Sequence, residues 1–247
     1  MMQDRAAKTR RQLIRSAAEL FERDGFAGAS IGQICARADV SRGALHFHFR
    51  NKQALGEAVE STAREILLCV TGQVPAGHPA PLQVLVDTSH ALAERVSCDL
   101  VLRAGFGLAH DAGWHSEVSL WQHWRHWVRG LLDLARRQGS LAVDADLDDA
   151  VSAITALMAG LEGLEREPGG DRIAQSVTPF WRLVLPRLAA EPVRDRIEAA
   201  GSFAAAAGEP PLDRWQSEGD AAPHACGSMS DPELCCVPRR EMSGSAS

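Results

Sequence analysis

Residues 30–49 read SIGQICARADVSRGALHFHF and carry the clearest helix signals of the chain. Ser30, followed three residues later by Gln33, has the form of a capping box and predicts the start of a short helix. Residues 38–40 form a turn, and Ser41 then predicts the cap of a second short helix. Two capped helices joined by so short a turn are typical of a helix-turn-helix, whose second helix enters the major groove of DNA.

A longer helix precedes this motif. Apolar residues recur at helical spacing between Leu13 and Phe21, and Thr9 with Gln12 predicts a capping box at the helix start. Gly25 follows the last periodic residue and predicts the helix end. We expect the three helices to pack on one another, because none is long enough to bury a core alone.

The second motif helix carries the residues that would meet DNA, and Ala36, Val40 and Leu45 are expected to form the buried seam beneath it. The candidate DNA-binding residues combine small side chains that permit close approach to base edges, an arginine that could bond a guanine, and groups placed for phosphate. These residues are Ser30, Arg42, Gly43, Ala44, His46, His48 and Lys52.

The remainder of the chain is also predicted to be helical. Asn51 predicts the cap of a fourth helix that ends near Gly72, and a loop rich in proline and glycine follows. Further helices are expected at about 82–96, 99–110, 115–138, 147–166 and 171–189. No alternating apolar run is long enough for a strand, so the sequence predicts an all-α fold.

The charge distribution divides the 247-residue chain. Residues 1–55, here called the head, carry ten Lys or Arg against five Asp or Glu, a net charge of +5. The rest of the chain has a net charge of −11, which predicts that only the head meets a polyanion. Residues 56–200 are here called the body, and we expect residues 201–247 to form a mostly disordered tail.

Several classes of protein are disfavoured. No run approaches the roughly 18 apolar residues of a membrane span, and no secretory signal is present, which predicts a cytoplasmic protein. The six cysteines lack paired-ligand spacing, so neither disulfides nor a metal is expected. No nucleotide-binding or hydrolase motif occurs, and we expect neither an enzyme nor a cofactor. An all-helical interaction module without DNA binding stays an alternative, which the basic, capped head disfavours.

The helix predicted at 115–138 is rich in tryptophan. Trp121, Trp124 and Trp127 recur at three-residue spacing, which is typical either of core packing or of the apolar wall of a ligand pocket between helices. Arg103 is a candidate for a polar contact in that pocket or for an ion pair across a dimer. His123 and His126 lack a third ligand, and we expect them on the helix surface or the pocket rim.

The two last long helices are candidates for the dimer face. Their large apolar residues are predicted to be surplus to the core of one protomer, and small residues between them would allow two helices to approach closely. The large residues are Leu157, Met158, Leu161, Leu164, Phe180, Trp181 and Leu185, and the small ones are Ala159, Gly160 and Gly163.

The head resembles the N-terminal domain of tetracycline-repressor (TetR) family regulators. The resemblance covers residues 8–55 and rests on the elements A-x-x-LF-x-x-x-GF, V-S-x-G-x-L and F-HF-x-x-K. It implies an all-helical homodimer in which a ligand-binding body controls two DNA-binding heads. The family usually has a tyrosine, which commonly contacts phosphate, where this chain has His46.

The body is similar to the γ-butyrolactone receptor branch of that family. The similar stretches are 101–109 and 132–139, and alignment on Ala135 places the branch's pocket tryptophan at Trp124. The resemblance implies a repressor of antibiotic or other secondary-metabolism genes that a small signalling molecule such as a γ-butyrolactone releases from its operator. The branch usually has an arginine where this chain has Gly107, so a pseudo-receptor that responds to an antibiotic or another ligand is the alternative.

Overall fold

A computed structural model of the chain describes residues 2–72, 78–116, 119–165 and 176–202. Over these ranges the regular elements are helices, with one isolated bridge between Leu141 and Ala189. The helices are α1 (Met2–Gly28), α2 (Ile31–Ala38), α3 (Arg42–His48), α4 (Lys52–Thr71), α5 (Pro81–Cys98), α6 (Leu100–Leu108), α7 (Leu120–Arg137), α8 (Leu147–Glu165), α9 (Val177–Leu188) and α10 (Glu191–Arg194). The predicted all-α fold is confirmed.

The caps predicted for the head are present. The Ser30 side chain accepts a hydrogen bond from the Gln33 amide, and the Gln33 side chain accepts one from the Ser30 amide, which completes the capping box of α2. Ser41 caps α3 through the Ala44 amide, and Asn51 caps α4. These contacts are local in sequence, which explains why sequence alone identified them.

The predicted start of the first helix is wrong. Helix α1 begins at Met2, so Thr9 lies inside it and donates a hydrogen bond to the Arg5 carbonyl at 3.0 Å. Gln12 donates instead to the Ala38 carbonyl at 2.7 Å and thereby holds the end of α2. The helix end predicted at Gly25 is a kink, because its backbone (φ 73°, ψ 167°) leaves the helical region and one more turn follows to Gly28.

The seam beneath α3 differs from the expected one. Leu45 is completely buried, as predicted, but Ala36 is exposed and Val40 is only half-buried. Their places are taken by Ile34, Cys35 and Ala38. The correction follows from the helical repeat, which puts residues 34 and 38, four apart, on the inner face of α2.

The body helices surround a continuous apolar core. Helix α4 leaves the head at Lys52 and packs against α6, while α5 is buried along most of its length between its neighbours. Helix α7 begins at Leu120 with Ser119 as its cap, five residues later than predicted. The Asp146 carboxylate accepts hydrogen bonds from the Asp148 and Asp149 amides at the start of α8.

The last described residues close over α5. Gln83 exchanges two hydrogen bonds with the backbone of Glu198, and the buried Asp87 accepts from both the amide and the hydroxyl of Ser202. The predicted tail falls almost wholly on residues 203–247, outside the described residues, as does the predicted stretch 171–175 of the last long helix.

The expectation that the apolar residues of α8 and α9 are surplus to one protomer is largely wrong. Four of them are buried inside the protomer because their helix faces point to α5 and α7 or to each other; they are Met158, Leu161, Trp181 and Leu185. Leu157 and Phe180 are half-buried, whereas Leu164 is about half exposed.

Candidate nucleic-acid interface and ligand site

An open crevice of about 470 Å³ lies between the start of α2 and the outer side of α3. Arg42, His46 and Lys52 line it with basic side chains, and Ser30 and Gly32 line it at the start of α2. The helix start contributes backbone N–H groups and the positive end of its dipole. The crevice therefore combines four of the predicted DNA-binding residues in a surface suited to a phosphate group.

The exposed side of α3 adds a second surface. Gly43 is exposed, and a Cβ there would come no closer than 3.8 Å to its nearest neighbour, while Ala44 is half-buried. These small residues leave room for a groove to approach the helix. His48 is half-buried, with its ring centroid 5.2 Å from that of Phe47.

The sequence analysis missed Phe47, which exposes 82% of its surface in the last turn of α3. The signal was available in the helical period, because Phe47 lies two residues after the completely buried Leu45 and therefore on the opposite side of the helix. An exposed phenylalanine is costly in water but can pack against the methyl group of thymine.

Lys52 lines the crevice but its ammonium is already engaged. It donates to the carbonyls of Phe26 at 2.7 Å and Ala29 at 3.0 Å, and lies 4.6 Å from the centre of the Phe26 ring. The side chain thus fastens the end of α1 to the start of α4. Its positive charge still contributes to the potential at the crevice.

The predicted sensor residues lie at the centre of the body. Trp124 is completely buried and stacks on half-buried Trp127, with ring centroids 5.2 Å apart and an interplanar angle of 19°. Trp121 donates to the Phe106 carbonyl at 3.3 Å. The buried indole N–H groups of Trp124, Trp114 and Trp181 find no acceptor among the described residues, and a buried donor without an acceptor lowers the stability of the fold.

Arg103 is held inside the protomer. Its guanidinium forms an ion pair with Glu22 of α1 and donates to the carbonyls of Val96 at 2.8 Å and Ser97 at 3.0 Å. These contacts connect α6 to the head helix.

The histidines near the tryptophans are not clustered. The Nδ1 atom of His126 lies 2.9 Å from the carbonyl of Gln122, one turn earlier on α7. Among the described residues, no three His, Cys, Asp or Glu side chains are placed to hold a metal ion. Within the same part of the chain, no helix is both long and apolar enough to cross a membrane.

Two capped short helices, an outward-facing second helix and an all-helical body define a helix-turn-helix transcription regulator. Residues 13–59 match the family described as "Bacterial regulatory proteins, tetR family". Residues 13–59 thus form a TetR-family DNA-binding domain, and the chain over most of its length is similar to γ-butyrolactone receptors.

Three comparisons support this placement. The A-factor receptor protein of Streptomyces griseus is 28% identical over 232 residues, which cover 93% of this chain and 82% of the receptor. A crystal structure of a γ-butyrolactone receptor (ArpA-like protein) is 26% identical with a TM-score of 0.68, over 79% of this chain and 94% of that one. The TetR-family protein CprB of Streptomyces coelicolor, solved with its biological operator sequence, is 28% identical with a TM-score of 0.64, over 78% and 94% of the two chains.

Proposed function

We propose that the chain is a ligand-responsive repressor of secondary-metabolism genes, released from its operator by a γ-butyrolactone or a similar small signalling molecule. The observation that carries the proposal is the cationic crevice beside the exposed face of α3, on a body similar to γ-butyrolactone receptors.

In the proposed complex, α3 lies in the major groove. Gly43 and Ala44 allow the helix close to the base edges, Arg42 bonds a guanine, and Phe47 packs on a thymine methyl group. Phosphate oxygens are bound at the crevice by the start of α2 with Ser30 and by His46. His48 and the positive charge of Lys52 add to the attraction between the head and the DNA backbone.

The same proposal assigns ligand binding to the tryptophan helix. The orphan N–H of Trp124 would donate to a carbonyl oxygen of the ligand, which fits the carbonyl of a lactone. Trp121 and Trp127 flank this donor and would supply apolar walls. Because Trp124 is completely buried, the ligand-bound body must open around it.

A homodimer presents two heads to a two-fold operator. Ala153, Ala156, Gly160 and Gly163 form an exposed, nearly flat face of α8, and a Cβ at either glycine would meet nothing within 4 Å. Leu183 of α9 is 78% exposed. Such a face can bury itself against a second copy, and the two α3 helices would then read half-sites roughly 34–36 Å apart.

Release follows from linkage between the two sites. A ligand that binds better to the free dimer than to the DNA-bound dimer weakens DNA binding by the same factor by which DNA weakens ligand binding. Helix α4 is a physical connection for this effect, since it begins beside the crevice at Lys52 and continues into the body.

A mobility-shift titration with the DNA upstream of the protein's own gene tests the proposal. It is run with wild type and Arg42→Ala, with and without a synthetic γ-butyrolactone. We expect a wild-type shift that the butyrolactone abolishes and that Arg42→Ala weakens. A wild-type shift that the butyrolactone leaves unchanged contradicts the ligand assignment and favours the pseudo-receptor alternative, which the glycine at position 107 supports. No shift on any upstream fragment contradicts the repressor assignment.

A further inference from the structure

Residues 109–116, which follow α6 in the connection to α7, lie against the head. One carboxylate oxygen of Asp111 accepts a hydrogen bond from the Phe26 amide at 2.5 Å, and the other accepts one from the Gly113 amide at 2.8 Å. The first contact joins residues 85 positions apart, the second shapes the segment itself. A body carboxylate therefore holds the backbone at the end of the first head helix.

The backbone of α1 is adapted to this contact. Gly25 has a φ of 73°, in the region that favours glycine, and a Cβ there would lie 2.9 Å from the Asp111 carboxylate. On the other side of the same turn, Lys52 holds the carbonyls of Phe26 and Ala29. The last turn of α1 is thus held on one side by an anion of the body and on the other by a cation of the head.

Trp114 completes the contact. Its ring lies edge-on to that of Phe26, with centroids 4.9 Å apart, and it is 8% exposed. Only a glycine leaves room for it on α4, because a Cβ at Gly56 would come within 2.4 Å of the indole. Gln53 of α4 also reaches the carbonyl of His115, at 3.4 Å.

We propose that the 109–116 segment is a tie that fixes the orientation of the head on the body, in addition to the ion pair of Arg103 with Glu22, and that Asp111 is its positioning residue. The recognition helix α3 packs on α1 and α2, so the position of α1 on the body determines where α3 lies. Three residues further along the sequence begins α7, which carries Trp121, Trp124 and Trp127. The assignment rests on the proposed function and gives it a connection between the sensor helix and the head that is separate from α4.

The tie has a consequence for the operator. In a dimer, a firmly held head sets the distance between the two α3 helices, so that affinity depends on the spacing of the half-sites. Loss of the Asp111 contact frees each head to adjust its position. Contacts of a single head with a single half-site do not involve the tie and are unaffected.

The test uses a two-fold duplex selected from a random pool by the full-length wild type. Its affinity is compared with that of the same duplex with two base pairs inserted between the half-sites, and with that of a single half-site. The variants are Asp111→Ala, the more conservative Asp111→Asn, which retains one acceptor oxygen, and the control Asp24→Ala. Asp24 pairs with Arg23 on the exposed side of the same helix end and is a matched control in the head.

We expect the ratio of affinities for the native and the expanded duplex to fall about tenfold in Asp111→Ala, the scale of one hydrogen bond to a charged group. Asp111→Asn should fall between this variant and wild type. The affinity for a single half-site should stay within about twofold of wild type in both Asp111 variants, because one head bound to one half-site does not use the Asp111 hydrogen bond. Hydrogen exchange of the Phe26 amide should become faster in Asp111→Ala and stay unchanged in Asp24→Ala.

Other outcomes overturn the assignment. If Asp111→Ala and Asp111→Asn discriminate spacing as strongly as wild type does, Asp111 does not position the head. If affinity for the half-site falls as much as affinity for the full duplex, the residue supports the fold of the head and not its placement. A wild type that binds no duplex contradicts the proposed function and this assignment with it.

Discussion

In the head, Leu45 is completely buried and Phe47, two residues later, exposes 82% of its surface, whereas in the body Trp124 is at once a core residue and the candidate ligand residue. Along α3, the side chains that stabilise the head and those placed to touch DNA lie on opposite faces. In α7 the same indole fills the core and offers its unpaired N–H.

Stability and function can therefore be separated in the head but not in the body. A head that binds a partner outside the fold can keep its contact residues exposed and its core independent. A sensor that encloses a small molecule must build the site from the core, because apolar ligands bind in apolar, concave surroundings. Substitutions should therefore separate folding from function in the head and combine them in the body.

The largest expected effect is that of Trp124→Ala. Removing a completely buried indole should lower the free energy of unfolding by about 3–5 kcal/mol, measured by denaturant titration. Trp124→Phe should retain most of the packing and lose the N–H, so that DNA binding persists while release by a γ-butyrolactone is lost. Full ligand response in Trp124→Phe would show that the indole N–H has no part in sensing.

The head allows a sharper separation with a matched pair of variants. Leu45→Ala should cost about 2–5 kcal/mol of stability, because it leaves a cavity under α3. Phe47→Ala should change the free energy of unfolding by less than about 0.5 kcal/mol and still weaken operator binding. Thermal melting and anisotropy titration of both variants measure the two quantities. Equal losses of stability would contradict the division of α3 into a packing face and a DNA face.

Arg42→Ala refines the assignment within the DNA face. Loss of a two-hydrogen-bond contact to guanine should cost about 1–3 kcal/mol of binding and relax the preference for one base pair, while melting is unchanged. The check is competition among duplexes substituted at each position. Uniform weakening with unaltered preference would assign Arg42 to phosphate.

The smallest expected effect is a pH dependence of body stability. Burial lowers the pKa of His123 below its ordinary 6.5, and the charges of Arg64 and His126 lower it further. The unfolded chain therefore binds a proton at His123 more readily than the folded chain does. The contribution of His123 to the free energy of unfolding should be fully present above pH 6.5 and should decrease as the pH falls from there towards the pKa of the folded state. His123→Gln should flatten this part of the melting profile. Parallel profiles for variant and wild type would exclude the contribution.

The sequence predicted best what depends on neighbouring residues. At Ser30, Ser41 and Asn51 the capping side chain accepts a hydrogen bond from the amide three residues later, and all three caps are present. The all-α fold followed from the helical spacing of apolar residues. The start of α1 was missed because a side chain able to cap can equally bond the preceding turn, as Thr9 does.

Contacts between distant residues could not be predicted in this way. The approach of Asp111 to Phe26 and of Lys52 to three carbonyls depends on how α1, α4 and α6 pack. The presence of an aspartate or a lysine in the sequence does not predict such a contact. The burial of Met158 and Trp181 was missed for the same reason, since an amphipathic pattern does not distinguish a protomer core from a dimer face.

The most direct test of DNA binding by the head is the salt dependence of affinity for a selected duplex. If phosphates are bound at the crevice and along α3 in both protomers, the logarithm of the association constant should fall linearly with the logarithm of salt concentration. Six to ten phosphate contacts correspond to a loss of roughly 10³–10⁵ in affinity between 50 and 200 mM salt. An affinity that does not change over this range would contradict DNA binding through the basic head.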